Sequence, residues 1–335
     1  ADTEREEREQ IEHERERDVE DDEGAVEQND QFDETTEGGL NDEGAMAKER
    51  TAVSAIAARS RFDKLHILAS RQRNRYADVY DALVGRQGGE IAAALRLLRE
   101  PEEGQRQDFE RRVEQALAEW SAVGDHEHVV GVLDWGVEPR PWLATAFTGA
   151  SLADQDPGPF DSGLRDAISL ADAVSHVHQN GVVHGGIDSG NVIYPGDILD
   201  SGAESTRPLL DNVALLSAFR FHFEPSLCLD PRFAAPEYFE QPYGRIDHAT
   251  DIYQLGAVLY RLFTGRPPFT GQFTAVREAV LSEQPTPPSD VDESLPGAID
   301  DVIEKAMAKQ KLTRYETVEH LRQELIGMMG DDMDG

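Results

Sequence analysis

The chain of 335 residues holds one cysteine, Cys228, so no disulfide can close within it. Lysine is almost as scarce: Lys48, Lys64, Lys305, Lys309 and Lys311 stand against 27 arginines. No apolar run approaches the roughly eighteen residues of a membrane span. The acidic N-terminus lacks the basic-then-apolar order of an export signal. These absences predict a reducing, cytoplasmic setting with no membrane partner. The first residue is Ala1, which fits a removed initiator or a trimmed start.

Positive charge is scarce overall, with 66 acidic and 32 basic residues giving a formal net charge of −34. A field of that sign repels nucleic acid and anionic membranes, so neither is expected as a partner. Carboxylate excess with little lysine also suits high salt, where a Debye length of about 3 Å at 1 M damps repulsion between surface carboxylates. The composition predicts a halophilic source; the alternative is an acidic protein with a very acidic tail.

Residues 1–58 differ from the rest. The first 50 carry 21 acidic and 6 basic residues. Ile11, Val19, Val26, Phe32 and Leu40 are scattered without period. Such a segment cannot bury enough apolar surface to offset the entropy of ordering, which predicts a disordered acidic leader. It reads either as an interaction tail for a basic partner or as a solubilising extension.

From about Arg61 the pattern changes to short strands at 66–70, 76–84, 90–98, 128–137 and 142–148. Gln87-Gly88-Gly89 supplies a hairpin turn between the second and third. Val113, Ala116, Leu117, Trp120 and Val123 recur at helical spacing within 108–123. After Gly149 the chain reads as helical, with segments at 164–179, 251–263, 296–309 and 315–328. Gly265 can end the second of these, and Pro267-Pro268 cannot continue it.

Gly181-Val182-Val183-His184-Gly185-Gly186-Ile187-Asp188-Ser189-Gly190-Asn191 resembles the catalytic loop of the protein kinases, H-R-D-L-x-x-x-N. Phe233-Ala234-Ala235-Pro236-Glu237 resembles the family's A-P-E segment, and Asp251-Ile252-Tyr253-Gln254-Leu255-Gly256 the start of its buried central helix. The matches fall in the family's order over roughly residues 62–327. The resemblance is to the eukaryote-like Ser/Thr protein kinases, and with the composition it implies a degenerate member from a halophilic archaeon. It implies an α+β, two-lobed fold. The small N-lobe, residues 61–148, would hold five antiparallel strands and one helix, and the larger helical C-lobe residues 149–329. Glu237 would pair with Arg314, Asp251 would hold the catalytic-loop backbone, and His184 would pack beneath that loop. All four read as structural.

The chemical positions depart from the family's pattern. Gly186 stands where the pattern has the aspartate that accepts the substrate's proton, and glycine has no such side chain. Asp188, two residues on, is the candidate displaced base, though a carboxylate there would also repel phosphate. The phosphate-covering loop should carry three glycines, and their places hold Gln72, Asn74 and Ala77. Arg71, Arg73 and Arg75 bring positive charge, either for phosphate or as a charged surface turn. Arg96 replaces the third-strand lysine; it keeps the charge but not the compact ammonium, and reads equally as a strand arginine reaching solvent. Val113 falls at the position of the helix glutamate that pairs with that lysine. Glu114 is one residue on, about 100° around the helix, and a slip of one residue would restore the pair.

The D-F-G segment reads Asp211-Asn212-Val213. Asp211 and Asn191 match the residues that hold Mg²⁺ in the family and offer oxygens suited to it; the alternative is that both serve as hydrogen-bonding scaffold. Ala146 and Thr148, flanking Phe147, are the hinge candidates for backbone bonds to adenine. ATP and Mg²⁺ are therefore the cofactors implied wherever their sites survive. The sequence predicts a pseudokinase acting as a regulatory or docking module for a protein partner it does not name. The alternatives are an atypical active Ser/Thr kinase that transfers the ATP γ-phosphate, and an ATP-binding sensor without transfer.

Overall fold

In the computed structural model of the chain, residues 42–71, 74–86, 88–146, 149–194 and 207–331 are described. The chain divides into Ala1–Thr51 and Ala52–Gly335. Of the first unit, the described residues form the start of helix α1, Asp42–Arg59. All that follows concerns the second.

The expected leader therefore needs correction at its C-terminal end. Residues 1–41 lie outside the described part, but 42–59 is helical. The stretch from Thr51 to Ala58 is rich in alanine, a strong helix former. Val53 and Ile56, three residues apart, share a face, and Ile56 is fully buried among Phe62, Tyr80, Val84, Leu95 and Trp142. The end of α1 thus covers the outer face of the N-lobe sheet.

That sheet has five antiparallel strands in the order β1-β2-β3-β5-β4, with β1 Lys64–Ser70, β2 Ala77–Arg86, β3 Gly89–Leu98, β4 Val132–Gly136 and β5 Trp142–Ala146. The β2–β3 hairpin closes on Arg86 opposite Gly89, with Gly88 at φ +86°. Strand β4 starts later than its hydrophobic run suggests. His128 and Val130 exchange backbone bonds with Leu210 of the C-lobe instead, at 2.8 and 2.9 Å. Alternation along β3 sends Ala93, Leu95 and Leu97 toward α1. It sends Ala94, Arg96 and Leu98 to the other face, where Ala94 and Leu98 pack with helix α2, Arg106–Val123.

The C-lobe is helical. Helix α3, Phe160–Gln179, leads to the loop before the small sheet of β6 Val192–Ile193 and β7 Leu209–Leu210. Two short helices follow, α4 Leu215–Phe219 and α5 Pro225–Cys228. Then come the central helix α6 His248–Thr264, α7 Phe273–Ser282, α8 Pro288–Val291, α9 Ala298–Ala306 and α10 Val318–Asp331. Asp247 caps α6 by accepting from Ala249 N–H at 3.0 Å, and Gly265 ends it at φ +76°. Gly256 lets α9 approach: a Cβ there would sit 2.7 Å from that of Ala306.

Glu237 and Arg314 lie 77 residues apart and form a two-pronged, fully buried pair, with Nη1–Oε1 at 2.8 Å and Nη2–Oε2 at 3.0 Å. Thr250 Oγ1 donates to the same carboxylate at 2.8 Å, which links the pair to the first turn of α6. Removing one partner breaks a buried ion pair, and Lys311 Nζ, 3.7 Å from Glu237 Oε1, is a looser counter-charge than the Arg314 fork. Arg314→Ala is expected to lower the unfolding free energy by about 3–5 kcal/mol, read from the urea midpoint, and Glu237→Gln by less, since it keeps an acceptor.

Candidate functional site

The floor of the interlobe cleft is set by Asp251, one turn into α6. Its buried carboxylate accepts the backbone N–H of His184 at 2.9 Å and of Gly185 at 2.7 Å, and lies 2.8 Å from His178 Nε2. His184 sits beneath the loop. Gly186 N–H donates to its Nδ1 at 3.2 Å, so Nε2 carries the hydrogen and donates to Asp211 O at 2.9 Å. Burial holds the His184 pKa below its ordinary value, and the ring is neutral. Gly185 takes φ +70° and accepts from the Tyr238 hydroxyl.

Gly186 faces a filled space. A Cβ built on it would lie 3.2 Å from Leu216 Cβ and 3.5 Å from Tyr76 Oη. Leu216 comes from α4 and Tyr76 from the turn before β2, and both are 2% exposed. The Tyr76 hydroxyl donates to Cys228 O at 3.1 Å. Its ring meets Phe219 edge-on at 5.0 Å, and Phe219 meets Phe109 of α2 at 5.2 Å. An aromatic chain that joins the two lobes through Phe219 thus occupies the ground beside the loop.

Asp188 is not presented to the cleft as a free base. Its Oδ1 accepts Gly190 N–H at 2.8 Å and Asn191 N–H at 3.1 Å, and its Oδ2 receives Arg75 Nη1 at 2.5 Å. Burial raises its pKa, and Arg75 opposes that shift. For Arg75, burial works against the charge, but Asp188, Tyr76 and Asp230 outweigh it and raise the pKa. Asn74 turns the chain before β2, its Oδ1 accepting from Tyr76 N–H at 2.9 Å and Ala77 N–H at 2.7 Å. Ala77 is buried. Arg71 pairs with Asp81 at 2.5 Å. Gln72 and Arg73 lie outside the described residues.

Arg96 does not reach solvent; it is 3% exposed. Its Nη1 and Nη2 grip both oxygens of Asp211, at 3.0 and 2.8 Å. Nη1 also donates to Asn212 Oδ1 at 2.8 Å, and Nη2 to Thr145 Oγ1 at 3.3 Å. Asn212 Nδ2 in turn donates to Asn191 Oδ1 at 2.8 Å, and Asn191 Nδ2 to Gly186 O at 2.5 Å. Val113 is buried, while Glu114 is exposed on the far side of α2, so the one-residue slip does not occur and Arg96 meets no glutamate from that helix. Asn212 and Ala214 flank Val213 with φ of +59° and +61°, left-handed conformations that asparagine tolerates better than alanine.

The cleft above this floor has a volume of about 360 Å³, and Arg75, Tyr76, Arg96, Asp188, Asn191 and Asp211 all line it. Ala146 N–H is spent on Gly131 O at 2.9 Å. Phe147 and Thr148 lie outside the described residues, so the hinge expectation is placed only at its first residue. The Mg²⁺ pair does not fit a metal. Asp211 is held by a guanidinium and Asn191's oxygen by Asn212, so the oxygens a hard cation needs are already engaged.

Three participants were not singled out from sequence for these roles. Tyr76 and Leu216 fill the space beside Gly186, and Asn212 bridges Arg96 to Asn191. Leu216 carried no signal, since one leucine in an apolar run resembles any other. Asn212 did, because a side-chain amide where the family has an aromatic needs hydrogen-bond partners once buried.

Comparisons agree with this geometry. Residues 161–326 match the family model described as the protein kinase domain. Among curated relatives, the chain is 28% identical over 225 residues to serine/threonine-protein kinase PknB of Mycobacterium leprae, covering 62% of this chain and 34% of that protein. It is 32% identical over 268 residues to the DNA damage-responsive serine/threonine-protein kinase RqkA of Deinococcus radiodurans, covering 74% and 37%. The chain thus spans about a third of the length of these relatives. Among solved structures, a double mutant of the PknI kinase domain of Mycobacterium tuberculosis superposes with a TM-score of 0.60 at 22% identity, over 80% of this chain and 97% of that one. Fold and sequence converge: this is a chain of the protein-kinase fold, and the proteins it is similar to are serine/threonine protein kinases.

Proposed function

We propose that this kinase-like domain is catalytically impaired and acts as a regulatory or docking module for another protein. The observation that carries the reading is Gly186. The position lacks a proton acceptor, and the space a carboxylate would need holds Leu216 and the Tyr76 hydroxyl. A general base contributes about 10²–10⁴-fold to rate. Asp188 is a poor replacement, because Arg75 and two backbone N–H groups already engage its oxygens.

A second reading, a sensor that binds ATP without transfer, is favoured by the remaining cleft of about 360 Å³. Similarity to proteins named as kinases favours an atypical active enzyme. One pair of assays separates the three, run in dilute buffer and in concentrated KCl because a net charge of −34 predicts a fold that gains from screening. The expected result is no transfer of labelled γ-phosphate to a generic protein substrate or to the chain itself. Transfer that disappears in Asp211→Ala would establish the active enzyme and defeat the proposal. A thermal shift with ATP but no transfer would establish the sensor; a ligand at 100 times its Kd stabilises by about 2.7 kcal/mol.

Restoring the missing carboxylate is expected to do harm. Gly186→Asp should cost about 1–3 kcal/mol through overpacking against Leu216. In a double-mutant cycle with Leu216→Gly, which removes the Cβ at 3.2 Å, the two changes should couple by about 0.5–3 kcal/mol, the pair being less destabilised than the sum. Additive costs in urea unfolding would show that Leu216 does not fill the aspartate's place.

A further inference from the structure

We propose that the Arg96 guanidinium is the resident cation of this cleft and closes it to divalent metal. The inference uses the same cleft as the functional reading but a different observation, the buried network around Asp211.

A carboxylate 3% exposed needs a compensating charge. In a metal-loaded site the cation supplies it. Here the chain supplies it through a fork whose two nitrogens match the two carboxylate oxygens at 3.0 and 2.8 Å. The same fork takes in Asn212 Oδ1 at 2.8 Å and Thr145 Oγ1 at 3.3 Å. A lysine would bring one nitrogen to this cluster, and could not bridge both oxygens with the same planar fit.

Asn212 completes the closure. Its left-handed backbone, φ +59°, accompanies a side chain that faces two ways. Its oxygen accepts from Arg96, and its amide donates to Asn191 Oδ1 at 2.8 Å. Its own N–H also donates to Asp211 Oδ1 at 2.9 Å. An aromatic in that place could make neither side-chain bond. The replacements at Arg96 and Asn212 are therefore two halves of one device. Arg96 neutralises the first metal-ligand candidate and presents its charge to Asn212, which occupies the second. A divalent cation would have to displace bonds at both oxygens while sitting beside a fixed positive charge.

The test uses Mn²⁺ alone as the probe, read by the loss of its free-ion electron paramagnetic resonance signal. KCl at about 1 M suppresses diffuse binding to the acidic surface. The wild-type chain and Asp211→Asn are expected to bind Mn²⁺ equally, with no site that depends on Asp211. Arg96→Met and Arg96→Lys are each expected to gain one Mn²⁺ site, displaced by Mg²⁺ and abolished by adding Asp211→Asn. An Asp211-dependent site in the wild type would overturn the proposal, as would folded Arg96 variants that gain none. Circular dichroism reports folding. Should Arg96→Met fail to fold, Arg96→Lys retains a compensating charge; should both fail, the wild type against Asp211→Asn decides. Phosphate transfer is not read in this experiment, so its outcome is separable from that of the functional reading.

Discussion

The structure turns on how a buried carboxylate, Asp211, is neutralised. It sits just past β7, beneath the N-lobe sheet, where desolvation would penalise its charge heavily without a partner. Arg96 descends from β3 to meet it, which places one partner in each lobe. Holding the guanidinium there requires the β3 alternation that turns Arg96 away from the α1-covered face, and Thr145 on the neighbouring strand as a further acceptor. Breaking such a pair from one side costs about 3–5 kcal/mol, so the lobes are joined by electrostatics as well as by packing. Neither partner needs a ligand to be compensated.

The second constraint is steric and follows from the first residues after Val213. A left-handed step at Ala214 starts α4, which brings Leu216 against Gly186 and Phe219 against Phe109 of α2. Tyr76 closes the arrangement from the N-lobe side, meeting Phe219 with its ring edge and Cys228 O with its hydroxyl. Aromatic pairs of this kind add about 0.5–1.5 kcal/mol each beyond buried area. The wedge beside Gly186 is thus part of the core, not a loose loop across a cleft.

Local pattern makes much of the fold legible in the sequence. The β2–β3 hairpin, the α2 periodicity and the Gly265 stop follow from turn chemistry and spacing, and each lies within a few residues of its expected place. Pattern and structure part where a long-range partner sets the outcome. Residues 128–130 look like strand and do pair, but with Leu210 rather than within the N-lobe sheet. Residues 52–58 look like the end of a polar leader, yet Ile56 has a sheet face to cover. At the site, the anchors Asp251, His184, Glu237 and Arg314 could be placed by family order. Arg96's burial could not, because an arginine on a strand reads the same whether it faces water or a carboxylate 115 residues away.

These particulars explain why scaffold and chemistry separate so cleanly in this chain. Asp251 satisfies two backbone N–H groups, His184 satisfies a carbonyl, and the Glu237–Arg314 pair cancels two buried charges. Changing any one of them leaves a polar group stranded, and the loop or lobe it holds goes with it. Gly186, Asn212 and Arg96 are accommodated by their neighbours, with Arg96 Nε the one side-chain atom of the three that is buried without a hydrogen-bond partner. The neighbours are matched: Leu216 to the missing side chain, Asn191 to the Asn212 amide, and Asp211 to the Arg96 fork. Apart from Arg96 Nε, the polar groups of this network satisfy one another without a ligand. A ligand that would use those groups must first break the bonds they already make.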